Sequence, residues 1–582
     1  MTPTSHAMRV SIRSPLVIAF LLAMWVLLRW ASYPWPNYWL PAHLSLVPLS
    51  LLAVRAESTK QLLRWTYAAG VAFWAIGCIW LFNVASYGYL VLGIYMGVYP
   101  MLYVLLLRTV SRGLHLPLFF AVPMVWVSVE YVRGFMFSGM PWFGLGHSQP
   151  TQLIQIADLF GSYGVSFVVA MSAGVLCDLL TQPLIAPGGG PGKTVRLALV
   201  SWLLVMIGTI GYGQWRLGQA PGDNAPTLRV AVIQTDVPLD SKWEREMEEA
   251  RHTEARRQAE LTEFNDVAEL TRSAAAEEPD LIVWPETTMP RPINRTLIEQ
   301  SAIPLRQALE AGRAPDDQRD AYIYWAAALD YQQRVHQLAI DTGAALIIGG
   351  HAFPDPVNAS TKRHNSAYLI SPEGQTLERY DKVHRVPFGE YVLFEETFPG
   401  LAVFLRKIAP LPGYSLQPGE NIRPLAWPSD DADELLVIGT PICFEDIVSY
   451  VCREMIYKSG RKRGHMLVNL TNDGWFPGTA EAPQHEQIAR FRCIENRVPM
   501  ARSVNRGVSG FIDSSGRIIS RVEVDGRTQE VAGYAVADLR LDSRSTLFGR
   551  IGNLFAGVCV GLTLVSCGLA RLHHRITRKA TR

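Results

Sequence analysis

Long apolar stretches recur along the first 215 residues of this 582-residue chain, and most approach the length needed to cross a bilayer. Only 18% of the residues are charged and 49% are hydrophobic, which is typical of a membrane protein that also has a soluble part. The sequence therefore predicts an α-helical polytopic membrane domain of about eight spans. Seven spans fill a domain over 15–215, and a single transmembrane helix covers 551–570. The seven lie near 15–32, 38–53, 63–82, 87–107, 116–131, 163–180 and 197–212.

The basic residues beside these stretches indicate how the spans are oriented. Lys and Arg residues precede the first span and recur in every second connection and after the last span. By the positive-inside rule, this alternation places both termini in the cytoplasm and residues 223–543 on the outer side of the membrane. In a bacterium with two membranes, the chain is then a multi-pass inner-membrane protein with its soluble domain in the periplasm. Glu130 and Arg133 are polar groups beside a span, which are often functional.

Between 226 and 543 the pattern changes to short apolar runs that alternate with helical stretches. Helices are predicted at about 242–276 and 322–342. Strands are predicted at 228–234, 281–284, 345–350, 367–371, 435–439 and 466–470. About 320 residues organised in this way form a layered α/β domain large enough for a complete catalytic core.

Three of the strand-like segments in this domain end at a residue suited to acid–base or nucleophilic chemistry: Glu286, Lys382 and Cys443. A side chain at the end of a buried strand is held rigidly and is still accessible at the sheet edge. Each residue alone also has a plainer interpretation. Cys443 can be a small buried hydrophobe, Glu286 the cap of a turn and Lys382 a solvated surface lysine. The three together favour a catalytic constellation.

The motifs around these residues carry a family resemblance that spans nearly the whole chain. Trp-Pro-Glu-Thr at 284–287, Tyr-x-Lys-x-His-x-Val-Pro-Phe-Gly-Glu-Tyr at 380–391 and Pro-Ile-Cys-Phe-Glu-Asp at 441–446 resemble the carbon–nitrogen hydrolase (nitrilase) superfamily. Segments 469–476 and 502–510, the loop at 141–143 and the arrangement of seven spans plus one resemble the apolipoprotein N-acyltransferase family. The resemblance implies a nitrilase-like domain over 226–543 with an α-β-β-α layered sandwich.

The resemblance also implies a role for each residue of a Glu-Lys-Cys triad. Cys443 is the expected nucleophile, Glu286 the general base and Lys382 the cation that stabilises the developing oxyanion. Glu390 and Glu445 are expected to support the triad by hydrogen bonding to Lys382 or to the substrate amine; either is equally suited to a structural ion pair. No metal and no cofactor is expected.

Five further residues are expected to bind substrate: Trp243, Phe444, Asn472, Trp475 and Asn505. Trp243 matches a loop tryptophan that the family places near the lipid entrance, although a packed tryptophan is the plain alternative. Asn472, Trp475 and Asn505 are expected to shape the pocket. Phe444 stands where the family more often has tyrosine.

The expected reaction moves a fatty acyl group from a membrane phospholipid, through a cysteine thioester, to the N-terminal amine of the diacylglyceryl-cysteine of an apolipoprotein. The alternatives are a membrane-tethered amidase or nitrilase that hydrolyses a small amide, a non-catalytic scaffold and a transporter. A net charge of +2 gives no reason to expect nucleic acid as a partner. We expect the protein to be a monomer. The region 290–344 is longer than the family pattern, and pairing of Cys452 with Cys493 is left open.

Overall fold

The computed structural model describes residues 11–84, 86–182, 192–238, 254–293, 318–353, 363–408, 415–428 and 435–580, with short pieces between 303 and 312. The chain divides into two compact units. The first consists of Met1–Gln219 together with Thr546–Arg582, and the second is Ala220–Ser545.

The first unit is built from helices that follow the apolar stretches. They are α1 Pro15–Trp30, α2 Leu40–Arg55, α3 Thr59–Gly77, α4 Ser86–Met96, α5 Val98–Leu114, α6 Leu118–Arg133, α7 Thr151–Ile154, α8 Ala157–Thr181 and α9 Lys193–Gly218, before the second unit intervenes. Two more helices of this unit follow the second unit in the chain, α15 Leu547–Ile551 and α16 Leu554–Ala580, and the numbers between α9 and α15 are given to helices of the second unit below.

Among the described residues, four helical segments are long and apolar enough to cross a membrane. They are Gly88–Leu114, Ala157–Thr181, Lys193–Gly218 and Leu554–Thr577, while Pro15–Trp30 and Leu40–Arg55 are shorter apolar helices. A helix packed inside a membrane bundle can be shorter and less apolar than a lipid-facing helix, because neighbouring helices satisfy its polar groups. A total of about eight spans remains a prediction.

Close packing of α8 against α6 organises the first unit. Gly174 of α8 lies against the α6 start, where a Cβ would sit 2.4 Å from the Leu118 carbonyl oxygen. The Asp178 carboxylate accepts hydrogen bonds from the backbone N–H groups of Leu118 at 3.0 Å and Phe119 at 2.8 Å. A carboxylate at a helix N-terminus satisfies donors that the helix itself leaves unpaired. The aspartate thereby fixes the contact between the two helices.

The second unit contains two six-stranded sheets. The first has the order β14-β1-β2-β3-β4-β5, with β1 Thr227–Gln234, β2 Leu281–Val283, β3 Ala345–Ala352, β4 His364–Ile370, β5 Thr376–Asp381 and β14 Gly533–Arg540. The second has the order β13-β12-β11-β10-β7-β6, with β6 Leu425–Pro428, β7 Leu435–Gly439, β10 Met466–Asn472, β11 Met500–Asn505, β12 Gly510–Ile512 and β13 Ile518–Arg521. A separate hairpin pairs β8 Tyr457–Lys458 with β9 Arg461–Lys462.

The two sheets pack against each other, and helices cover their outer faces. The Ser503 hydroxyl of β11 donates to the carbonyls of Ile233 at 2.6 Å and Val283 at 3.0 Å, which joins the sheets at their centre. Both faces of β2 and of the second half of β1 are buried, which explains why their sequences are almost continuously apolar. The helices are α10 Glu254–Ala275 and α11 Gln318–Thr342 on the first sheet, α13 Ser449–Ile456 and α14 Glu481–Asn496 on the second, and the peripheral α12 Pro399–Ile408.

Several elements differ from the predicted ones in their bounds. The strand predicted at 367–371 begins at His364, because polar residues of β4 pair with β3 and β5 and are buried there. The long region 290–344 ends in α11, and much of the rest lies outside the described residues. Cys452 and Cys493 are both free, and they lie in one apolar cluster with Leu467 and Ala489.

Candidate active site

Glu286 lies just beyond the end of β2, and Lys382 directly follows the last residue of β5. The backbone N–H of Trp284 donates to the Ile347 carbonyl at 2.9 Å, which continues the pairing with β3 almost to the glutamate. The backbone N–H of Lys382 donates to the Asn365 carbonyl at 2.8 Å, which continues the pairing with β4. Both side chains are therefore positioned by the same sheet.

Glu286, Lys382 and Glu390 form a buried charged group. The Lys382 ammonium lies 2.8 Å from the Glu390 carboxylate and 3.5 Å from Oε1 of Glu286. The Asn365 amide donates to Oε1 of Glu286 at 2.7 Å, and its bond to Glu390 is longer, at 3.4 Å. Lys382 is 1% exposed, so its charge is held by these carboxylates rather than by water.

The charges in this group shift one another's protonation in opposite directions. Burial works against the Lys382 charge, yet Glu390 and Glu286 outweigh it and raise the pKa of the ammonium above its usual value. Burial, with help from the Glu390 charge, raises the pKa of Glu286, and Lys382 and Asn365 counteract part of that rise. The arrangement gives a permanent cation beside a carboxylate that takes up a proton readily.

Cys443 lies just beyond β7, where the chain turns into a short 3-10 helix, Cys443–Ile447. Its φ of 50° is in the left-handed region that residues with a side chain seldom adopt. The Asn469 side-chain amide donates to the Pro441 carbonyl at 3.0 Å and, at 3.4 Å, to that of Cys443. A strained backbone held by such partners is a feature of functional sites.

The Cys443 thiol is electrostatically coupled to the charged group described above. Burial raises the pKa of Cys443 well above its usual value, and the charges of Glu286 and Asp473 add to that rise. Lys382 and a hydrogen bond with Thr471 oppose it. The resting sulfur is therefore a thiol, and a base must remove its proton before it can act as a nucleophile.

Glu445 lies two residues beyond the cysteine and is fully buried. Its Oε1 accepts hydrogen bonds from the Tyr380 hydroxyl at 2.8 Å and from the backbone N–H groups of Val383 at 2.8 Å and His384 at 2.9 Å. Its Oε2 accepts from the Ile442 N–H at 2.9 Å. The carboxylate thus joins the chain after Lys382 to the turn before Cys443. None of these four contacts is with Lys382, and the predicted contact of Glu445 with the substrate amine stays a prediction.

The titration of Glu445 makes stability depend on pH. Burial raises the pKa of Glu445 to about 7, although the N–H groups of Ile442 and His384 lower it in part. Between its unfolded pKa of about 4.5 and the folded value, the native state holds a proton that the unfolded chain has lost. The contribution of Glu445 to stability is therefore full below about pH 4.5 and is lost as the pH rises through 7.

We expect the free energy of unfolding of the wild type, relative to Glu445→Gln, to fall by about 3 kcal/mol between pH 4.5 and 8. Unfolding of the two proteins in the same detergent, monitored across that range, measures this difference. Comparison at each pH removes the contributions of all other titrating groups. A difference that stays constant with pH contradicts the raised pKa.

The residues predicted to bind substrate divide into two groups. Asn505 accepts from Thr235 at 2.8 Å and donates to the Val237 carbonyl at 3.0 Å and to Oδ1 of Asn472 at 2.8 Å. Asn472 and Asn505 therefore bind protein groups at the ends of β10, β11 and β1. Phe444 and Trp475 are partly exposed, and Trp243 lies outside the described residues. The Phe444 ring stacks on His384 with 5.9 Å between ring centroids.

A buried ionic network on the other side of the cysteine turn was not predicted from the sequence. His485 Nε2 lies 2.7 Å from Asp446 Oδ1, and its Nδ1 lies 3.3 Å from Asp473 Oδ1. Arg502 also contacts the Asp446 carboxylate. Asp446 lies in the turn that begins at Cys443, and Asp473 lies just beyond β10, so the network joins the cysteine turn to the end of β10. The i, i+4 spacing of Glu481 and His485 on α14 was the only sequence signal for it.

Asp473, Glu481 and His485 have ligand-type atoms within 4.8 Å of one another, so a metal ion must be considered. Burial works against a charged His485, but Asp446 outweighs it and raises the pKa of the imidazole to about 10. An imidazole that is protonated on both nitrogens has no lone pair for a metal. Both ring nitrogens of His485 already face carboxylates, those of Asp446 and Asp473, so the described residues form an ionic network at this place.

Comparison with known proteins places both units in described families. A family model described as the apolipoprotein N-acyltransferase N-terminal domain matches residues 15–175, and one described as carbon-nitrogen hydrolase matches residues 229–546. An apolipoprotein N-acyltransferase from Geobacter metallireducens is 32% identical over 555 residues, which cover 92% of each chain. One from Pasteurella multocida is 27% identical over 497 residues and 83% of each chain. Among solved structures, an amidase from Nesterenkonia sp. is 15% identical with a TM-score of 0.33, over 57% of this chain and 96% of that chain.

Proposed function

The chain belongs to the apolipoprotein N-acyltransferase family, and from this we propose that it transfers a fatty acyl group from a membrane phospholipid to the N-terminal amine of apolipoproteins through a Cys443 thioester. The observation that carries the proposal is the buried Lys382 ammonium between Glu286 and Glu390, electrostatically coupled to the Cys443 thiol. A cation and a base beside a thiol supply what acyl transfer requires.

In the first half-reaction, Glu286 removes the proton of the Cys443 thiol as the sulfur attacks the ester carbonyl carbon of the phospholipid. The new C–S bond leaves a negative charge on the carbonyl oxygen, and Lys382 is the cation available to stabilise it. The ester C–O bond then breaks, and Glu286 returns the proton to the departing lysophospholipid oxygen. The product on the protein is a thioester.

In the second half-reaction, the free amine of the diacylglyceryl-cysteine attacks the thioester carbonyl. Glu286 accepts a proton from the attacking nitrogen, and Lys382 again faces the oxyanion. The C–S bond then breaks, Glu286 returns the proton to the departing sulfur, and the amide is released. The two substrates never need to be bound together, so the kinetics are of the ping-pong type. Both substrates are anchored in lipid, which accounts for a catalytic domain attached to a membrane unit.

Location and supporting residues complete the proposal. The positions of basic residues favour an inner-membrane protein whose domain at 226–543 faces the periplasm. Glu390 holds Lys382, and Glu445 positions the turn that carries the nucleophile. Phe444, Trp475 and Trp243 are the residues we assign to substrate contact, and Asn472 and Asn505 shape the walls.

The direct test is transfer to a synthetic peptide that begins with diacylglyceryl-cysteine, in detergent micelles that contain a defined phospholipid. We expect the peptide to gain the mass of one acyl chain while an equal amount of lysophospholipid appears in the mass spectrum. The matched control is the same peptide with an acetylated amine, which gains nothing. If free fatty acid is released with both peptides, or if small amides are hydrolysed and no acyl-peptide forms, the protein is a hydrolase and the proposed transferase function is wrong.

A further inference from the structure

A cleft in the membrane unit has no role in the reaction described above. It spans about 340 Å³ between the ends of α1, α3 and α6 and the start of α5, and part of this space is open solvent. Its walls are largely aromatic, and Trp25, Phe73, Trp74 and Trp126 contribute most of them. Two arginines, Arg29 and Arg133, also line it.

Both arginines are almost completely removed from solvent, with 1% of Arg29 and 5% of Arg133 exposed. Aromatic rings cover the faces of their guanidinium groups: Arg29 lies 5.4 Å from the Trp126 ring centroid, and Arg133 lies 5.1 Å from that of Trp74. One nitrogen of Arg29 donates to the Phe143 carbonyl at 2.7 Å. The rings contact the faces of both guanidinium groups, so they do not satisfy the N–H groups at the edges.

Several donors around the cleft lack an acceptor. Among the described residues, Nε and Nη1 of Arg29, Nε and Nη2 of Arg133 and Nε1 of Trp25 are buried without a hydrogen-bond partner. A buried donor without an acceptor is costly, and a buried arginine nitrogen is more so. Five such donors around one cleft need acceptors that the described polypeptide does not supply.

The one carboxylate in the cleft does not fill this need. Oε2 of Glu130 accepts from the Trp126 indole at 2.8 Å and from the Leu145 backbone N–H at 2.9 Å, and Oε1 accepts from the Ser166 hydroxyl at 2.6 Å. Its charge offsets that of one arginine and leaves the other uncompensated. The cleft therefore has an excess of one positive charge.

We propose that this cleft binds the phosphodiester of a membrane phospholipid, with Arg29, Arg133 and the Trp25 indole as donors. A phosphodiester carries a single negative charge, which matches the excess, and its oxygens suit the forked geometry of guanidinium groups. Its apolar substituents suit the aromatic walls. Free phosphate offers the same oxygens, but it carries more than one charge at neutral pH and no apolar part. The proposal concerns binding and is independent of acyl transfer.

The test measures phospholipid retained by the purified Cys443→Ala protein, which allows binding to be read without turnover. Native mass spectrometry with dioleoyl phosphatidylglycerol in mixed micelles is expected to show one retained lipid more than the same protein with Arg133→Gln added. Dioleoylglycerol, which lacks the phosphate, is expected not to be retained. Inorganic phosphate is the third probe, and we expect it not to compete. Competition by phosphate at millimolar concentration overturns the lipid assignment in favour of a soluble anion.

Replacing Arg133 by glutamine is expected to weaken phospholipid binding by about 10- to 100-fold, the effect of losing a charge-assisted hydrogen bond. The matched control is Arg108→Gln, because Arg108 is also buried in this unit but donates to the carbonyls of Ala53 at 2.9 Å and Glu57 at 3.0 Å. The control is expected to retain the lipid. The site is refuted if the Arg133→Gln variant retains as much phospholipid as the protein with Arg133. It is also refuted if the protein with Arg133 retains dioleoylglycerol as well as it retains the phospholipid, a comparison that does not depend on the folding of the Arg133→Gln variant.

Discussion

Replacing Cys443 by alanine is expected to abolish both the acyl-enzyme and acyl transfer, a loss of about 10⁴-fold or more in rate. The sulfur is the atom that must form the thioester, and the remaining site can only position the lipid. Incubating the purified protein with phospholipid but no acceptor isolates the first half-reaction. Mass spectrometry of the peptide that contains Cys443 is then expected to show a fatty-acyl adduct that hydroxylamine removes.

The control for this experiment is Cys493→Ala. Cys493 is fully buried in the apolar cluster of the same unit, so its removal changes packing but not the site. We expect this variant to keep the adduct on Cys443 and to lose some stability. An adduct on another cysteine in the Cys443→Ala protein, or transfer that survives without any adduct, is incompatible with the assigned nucleophile.

Replacing Lys382 by methionine is expected to reduce transfer by at least about 10²- to 10³-fold, because the oxyanion loses its cation. The same change leaves Glu286 and Glu390 buried beside each other without a positive charge. Removing one partner of a buried ionic group costs about 3–5 kcal/mol of folding free energy. Low pH protonates the stranded carboxylates, so the stability deficit is expected to shrink between pH 8 and pH 5. Thermal unfolding and transfer assays measure the two effects separately.

Two further variants separate the catalytic role of Lys382 from its structural role. Lys382→Met combined with Glu390→Gln removes one stranded charge, so we expect it to recover stability without recovering activity. Lys462→Met is the matched single change, because Lys462 donates to the backbone carbonyls of Arg497 at 2.6 Å and Arg544 at 3.0 Å, away from the cysteine. It is expected to lose stability and keep the chemistry of the site. Full activity of Lys382→Met contradicts the assigned role.

The residues at the ends of strands could be predicted from the sequence because local signals mark them. Apolar runs end just before Glu286 and Cys443, and in a sheet buried on both faces such a break in the run coincides with the edge. The contacts of Glu445 could not be predicted in the same way. They depend on how the end of β5 lies against the turn after β7, and these elements are separated by more than fifty residues of sequence.

Asn365 and the network around His485 were missed for a related reason. Asn365 is an ordinary polar residue in the sequence, and only the pairing of β4 with β3, which in turn pairs with β2, places it beside Glu286. His485 lies on a helix, and its partners come from the cysteine turn and the end of β10. In the membrane unit, hydropathy located the helices, but composition does not distinguish a lipid-facing span from a shorter helix packed within the bundle.

The position of α16 in the chain has a consequence for biosynthesis. This helix packs against α5 and α6, and the Thr563 hydroxyl lies 2.8 Å from that of Ser128 within the contact. It is made about 420 residues after α6 ends, because α7 to α9 and the whole second unit lie in between. At typical bacterial synthesis rates this delay is roughly 20 to 80 s. During that time the faces of α5 and α6 that receive α16 remain uncovered, so lipid or the insertion machinery must shield them until the last helix enters the bilayer.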